Sequence, residues 1–127
     1  MKRLLIIPLL LLLGALARAQ PASPQETEAV ARIAPCLVQG LPDDWLRIYV
    51  VIDLARPGDE SGNVRYLVSR RDAPDRVEPY TPCDLRAPAV GLLATRAHQT
   101  TARSRWTGAR LVLHPSGNFE LNFDYPE

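Results

Sequence analysis

From Trp106 to Tyr125 the side chains alternate in character, break at Pro115-Ser116-Gly117, and then alternate again. In the first run Thr107, Ala109, Leu111 and Leu113 oppose Gly108, Arg110, Val112 and His114. In the second, Phe119, Leu121, Phe123 and Tyr125 oppose Glu120, Asn122 and Asp124. Side chains on a strand change face with a period of two, so the segment predicts a β-hairpin with one apolar face. The loop length follows from the same parity. A two-residue loop would set Leu113 opposite Glu120 and mix the faces. A three-residue loop pairs Leu113 with Phe119, Leu111 with Leu121 and Ala109 with Phe123. Pro115 supplies the φ of the first turn position, and Gly117 can take the left-handed conformation that a type I turn with a G1 bulge requires.

Upstream, Trp45 to Leu54 alternates in the same way. Leu46, Ile48, Val50, Ile52 and Leu54 share one face, and Trp45, Arg47, Tyr49, Val51 and Asp53 the other. Val64 to Arg70 predicts a second strand, joined to the first through the polar turn Pro57–Asn63. Between Gln25 and Gln39, Val30, Ile33, Ala34 and Leu37 keep the spacing of one helical face. Pro35 removes a helical hydrogen bond, so this helix kinks there or ends early, and Gly40 and Pro42 are stop signals. Asp84 is placed to cap a second helix running to about Arg103. Leu85, Ala89, Leu92, Leu93 and Ala97 are available for its buried side, and Pro88 is tolerated in its first turn. Prolines and charges dominate Arg71 to Pro82, where Val77 to Tyr80 is a short edge strand at best. The order is α-β-β-α-β-β. It predicts an α+β two-layer domain, an antiparallel sheet of about four strands (two hairpins) with two helices packed on one face.

Residues 1–19 read as a secretory signal peptide. Met1-Lys2-Arg3 is a basic start, Leu4 to Leu13 an apolar run interrupted only by Pro8, and Ala17-Arg18-Ala19 a small-x-small cleavage pattern. A spanning helix would need about 20 apolar residues. Residues 20–127 then form a single domain of a size that supports one core. The leader holds three of the 15 basic residues and none of the 14 acidic ones, leaving twelve against fourteen. With no basic excess, nucleic acid is not an expected partner, and membrane insertion is not expected after leader cleavage. Cys36 and Cys83 both fall in the exported part, where an even count predicts a disulfide. Closing that loop would contribute about 4 kcal/mol in the chain-entropy model. The bridge would staple the end of the first helix to the start of the second.

The sheet face turned away from the helices is where function is to be sought. By parity it carries Trp45, Arg47, Tyr49 and Asp53, then Trp106, Arg110 and His114, then Glu120, Asn122 and Asp124. Aromatic, arginine and acidic side chains interleaved in this way suit a protein-binding face. The same pattern also serves a solvated open face. Catalysis has little to draw on. His98 and His114 sit in no metal-spacing motif, and there is no GxSxG elbow, phosphate loop or dinucleotide fingerprint. Asp43-Asp44, directly before a strand, suits a turn better than a shared proton. Neither a catalytic residue nor a cofactor or metal is expected.

The segment Gly40-Leu41-Pro42-Asp43-Asp44-Trp45-Leu46-Arg47-Ile48-Tyr49 resembles the proline, acidic, Trp, strand entry of the YezG-like immunity proteins. Gly62-Asn63-Val64-Arg65-Tyr66 resembles their second strand, and Trp106 to Tyr125, above all Gly117 to Tyr125, is similar to their closing hairpin. The resemblance runs from about Ala31 to Tyr125 and rests on short, mostly structural motifs. It implies an α+β domain that binds and neutralises a cognate toxin delivered by neighbouring bacteria, without an active site. The chain departs from the family in its leader, its cysteine pair and a shorter, more proline-rich Arg71–Pro82 segment. An exported member would meet its toxin in the periplasm, which points to peptidoglycan- or membrane-directed toxins. Two other classes stand beside this one: a different periplasmic binding module or hydrolase inhibitor, and a small secreted enzyme without a recognisable motif.

Overall fold

The structure, a computed structural model, describes residues 22–126. The expected leader, residues 1–19, lies outside them. The first helix, α1 (Pro24–Val38), opens on a capping box. The Ser23 hydroxyl accepts from the Glu26 N–H at 3.1 Å, and the Glu26 carboxylate accepts from the Ser23 N–H at 3.0 Å. Val30, Ile33 and Leu37 are buried as their spacing predicts, and Ala34 partly so. The helix runs through Pro35 to Val38 rather than ending early.

Five strands follow: β1 (Trp45–Asp53), β2 (Asn63–Arg70), β3 (Ala73–Pro79), β4 (Gly108–Leu113) and β5 (Phe119–Asp124). They form one antiparallel sheet in the order β3-β2-β1-β4-β5, so the two hairpins meet with β1 and β4 side by side. The closing hairpin has the predicted register, Leu113 opposite Phe119, Leu111 opposite Leu121 and Ala109 opposite Phe123. Its turn is closed by Gly117 N–H donating to the His114 carbonyl at 2.9 Å, with Gly117 at φ +93°. Ile48, Val50 and Ile52 from β1, Tyr66 and Val68 from β2, and Ala109, Leu111 and Leu113 from β4 form the buried face.

The sheet has one strand more than the expected four, and the order is α-β-β-β-α-β-β. β3 is hard to see in sequence because it is an edge strand. Only one of its sides makes ladder bonds, so Pro74 and Pro79 are tolerated, and between Ala73 and Val77 its register to β2 slips. The second helix, α2 (Ala87–Leu93), is also shorter than expected and continues as a 3₁₀ turn, Ala94–His98. Asp84 still acts near its start, its Oδ1 accepting from the Arg86 and Ala87 N–H groups at 2.7 and 2.9 Å. Ala89 and Leu92 are buried, but Leu85 is 60% exposed and Ala97 is exposed. Leu85 lies before the first helical turn, and the 3₁₀ winding rotates Ala97 off the buried stripe.

Cys36 and Cys83 form the disulfide, with Cα atoms 4.9 Å apart. It joins the end of α1 to the segment before α2, and the Cys83 N–H adds a bond to the Cys36 carbonyl at 3.0 Å. Two tyrosines tighten the same junction. Tyr80 donates to the Leu37 carbonyl at 2.8 Å and Tyr66 to the Leu85 carbonyl at 2.7 Å. The carbonyls of a helix end lack intrahelical partners, and here the Tyr80 phenol supplies one. The disulfide is compatible with an exported protein. No helix among the described residues is long and apolar enough to cross a membrane.

Candidate functional site

The helices cover one face of the sheet and leave the other open. Cross-strand register orders the open face into rows. One row runs Pro79, Leu67, Tyr49, Val112, Glu120, and the next Arg65, Val51, Arg110, Asn122. A third carries Asn63, Asp53, Gly108 and Asp124. Leu67, Tyr49, Val51 and Val112 are half-buried, with no helix or strand of the described residues above them. Arg47, Arg65 and Arg110 stand around this apolar centre together with Asp53, Glu120 and Asp124. Arg110 meets Asp124 at 3.5 Å and His114 meets Glu120 at 3.2 Å, while Arg47 reaches the Tyr49 hydroxyl at 3.4 Å.

Of the residues expected on this face, Arg47, Tyr49, Asp53, Arg110, His114, Glu120, Asn122 and Asp124 lie there. Trp45 and Trp106 do not. Trp45 is 9% exposed and Trp106 fully buried, both within the core. For Trp45 the reason is a bulge: β1 advances from Trp45 to Arg47 while β2 steps only from Arg70 to Ser69. The extra residue, Leu46, turns Trp45 to the helix side. For Trp106 the strand begins two residues later, at Gly108. The chain enters from the helical layer, so strand parity does not reach back to the indole, which packs against Phe123 at 5.1 Å between ring centroids. Its N–H donates to the Gln99 side-chain oxygen at 3.1 Å, and the Gln99 amide donates to Glu26 at 3.1 Å. Arg65, Leu67 and Val112 join this face beyond those expected, and the alternation of Arg65, Leu67 and Ser69 with Val64, Tyr66 and Val68 is the sequence signal for the two from β2.

Two other places carry side chains capable of chemistry. Asp44 forms an ion pair with Arg70 at 3.2 Å, which anchors the turn before β1 to the end of β2. His98 is exposed at the end of the 3₁₀ turn, remote in sequence and element from the His114–Glu120 pair. No group of three or more metal-ligating side chains occurs among the described residues. A cleft of about 250 Å³ lies between the loop after β1 and α2, floored by Ile52, Val64 and Ala89. Leu85 and Val90, 60% and 52% exposed, form its apolar rim.

No protein-family model and no curated protein sequence matches the chain. An apolar centre with an aromatic ring, a border of arginines and acids, and no enclosed cavity above it suits contact with another macromolecule. It offers a small substrate no enclosure.

Proposed function

We propose that this chain is an exported binding protein that uses the open face of its sheet to engage a protein partner, and that the partner is a bacterial toxin it neutralises by steric occlusion in the periplasm. The observation that carries the reading is the row Leu67–Tyr49–Val112 with Val51. It is an apolar strip in the middle of a face that no part of the described chain covers. Apolar and aromatic centres ringed by arginine are where binding energy concentrates in protein interfaces. The toxin and the compartment rest on the YezG-like resemblance and on the leader and disulfide. Neutralisation needs contact and no chemistry of the chain's own.

Co-expression with a secreted toxin encoded beside this gene tests the proposal. The expected result is rescue of growth when residues 1–19 are present and none when they are deleted. Rescue independent of the leader, or tight capture of a cytosol-acting nuclease, rules out the periplasmic reading.

A further inference from the structure

The two edges of the sheet are built differently. β3 holds Pro74 and Pro79 with Asp75, Arg76 and Glu78 between them, and its register to β2 is broken. Proline, charge and bulges keep an edge from recruiting another strand. β5, at the opposite edge, reads Phe-Glu-Leu-Asn-Phe-Asp in unbroken register with β4. It contains no proline and no basic residue, and Phe119, Leu121 and Phe123 are only partly buried at the margin of the core.

Among the described residues the backbone of β5 has a free side as well. At the turn end the His114 N–H donates to the Asn118 carbonyl at 2.9 Å, which marks that pair as hydrogen-bonded. Bonded pairs recur at every second residue of an antiparallel ladder. Glu120 and Asn122 therefore turn their amides and carbonyls to β4. Phe119, Leu121 and Phe123 turn theirs outward.

We propose that this edge is occupied by β5 of a second copy of the chain, paired antiparallel about a two-fold axis through Leu121. The alternating pattern of the strand can be matched to a copy of itself, and charge selects the register. Outward backbone groups sit on odd-numbered residues, so two copies can bond only where odd meets odd. Centring the pair on Glu120 sets that carboxylate against itself, and centring it on Asn122 sets Glu120 against Asp124. Centring on Leu121 places Glu120 opposite Asn122 and Asp124 opposite Asn118, so no acid directly faces an acid. On the apolar side the same register matches Leu121 with its copy and Phe119 with Phe123. Each acid moreover has a side-chain partner within its own chain, the His114 ring for Glu120 and the Arg110 guanidinium for Asp124. The strand is thus complementary to itself, as a two-fold interface requires. The product is a continuous sheet of twice five strands, with two open faces side by side on one surface. It holds whether or not the partner of the open face is a toxin.

Mass measured by sedimentation across a concentration series tests this on the purified, disulfide-bonded protein. The expected result is a one-chain to two-chain transition. Asn122→Glu sets like charges opposite one another twice across the axis, and so does Glu120→Lys with Asn122→Lys. Each should weaken the dimer about tenfold, and an equimolar mixture of the two variants should restore the two-chain mass. Backbone hydrogen exchange on the unaltered protein supplies a second reading, with the amides of Phe119, Leu121 and Phe123 gaining protection as concentration rises. A mass that stays at one chain throughout overturns the proposal. So does a two-chain mass that both variants keep, or exchange at these three amides that is independent of concentration.

Discussion

Glu26 is the one buried acidic residue among the described residues, 4% exposed, and it is held from both ends. One carboxylate oxygen closes the Ser23 capping box and the other accepts from Gln99, whose own oxygen takes the Trp106 indole N–H. Removing Gln99 leaves a carboxylate oxygen and an indole N–H buried without partners, at about 1–3 kcal/mol for each unsatisfied group. Gln99→Ala is therefore expected to lower the urea midpoint sharply, and to do so more than Glu28→Ala, whose exposed i,i+4 pair with Arg32 is worth little. Tyr80 predicts a pH dependence. Burial, and then the neighbouring Tyr66, hold its phenol above the ordinary value near 10. A folded-state pKa raised above the unfolded one stabilises fully below that ordinary value, and the contribution is lost as pH climbs through the folded value. Tyr80→Phe should cost about 1 kcal/mol near neutrality through the lost bond to Leu37. The gap between variant and parent should narrow above about pH 10 in thermal melts.

At the scale of elements, α2 is held against α1 by close approach and by the disulfide. A Cβ on Gly91 would stand 2.7 Å from Ile33 Cγ2, and Ile33 is buried, so neither helix can shift cheaply. Gly91→Ala is expected to destabilise by about 1–3 kcal/mol despite its better helix propensity. An unchanged denaturation midpoint would show that the helices can part to admit the methyl. Replacing both Cys36 and Cys83 by Ser opens a loop spanning 47 residues and should cost about 2–4 kcal/mol. That loop encloses β1, β2 and β3, so the loss should fall on the whole cooperative transition rather than on α2 alone. Much of this level could be read in the sequence: α1, β1, β2, the closing hairpin with its register, and the cysteine pairing. β3 and the true length of α2 could not, since an edge strand and a 3₁₀ extension are stabilised by what lies beside them.

For the molecule as a whole the issue is which surfaces are left for partners. Arg47→Glu with Asp124→Arg should change stability by no more than about 1 kcal/mol, since both residues lie on the open face. Affinity for the partner should fall by about tenfold or more if that face is the interface. Thermal denaturation reads the stability and calorimetric titration of the purified pair the affinity, and an unaltered affinity would move the site to the loops Pro57–Asn63 or Arg71–Pro82. Eight of the ten residues expected on this face lie there, because period-two parity holds wherever a strand is regular. The two tryptophans fail at strand entries, where a bulge or a late start resets the parity.

The sequence by itself determined what is local and periodic. It set which runs become strands, the three-residue turn that Pro115 and Gly117 permit, the apolar stripe of α1, and a cysteine pair suited to an oxidising compartment. Only the tertiary structure decided where Trp45 and Trp106 go, that Ala73–Pro79 joins the sheet, and that one sheet edge is blunted while the other is left unpaired by the described residues. A bulge exists only as a mismatch between two strands, and an edge only by its place in a finished sheet. Neither quantity is defined until distant segments have paired.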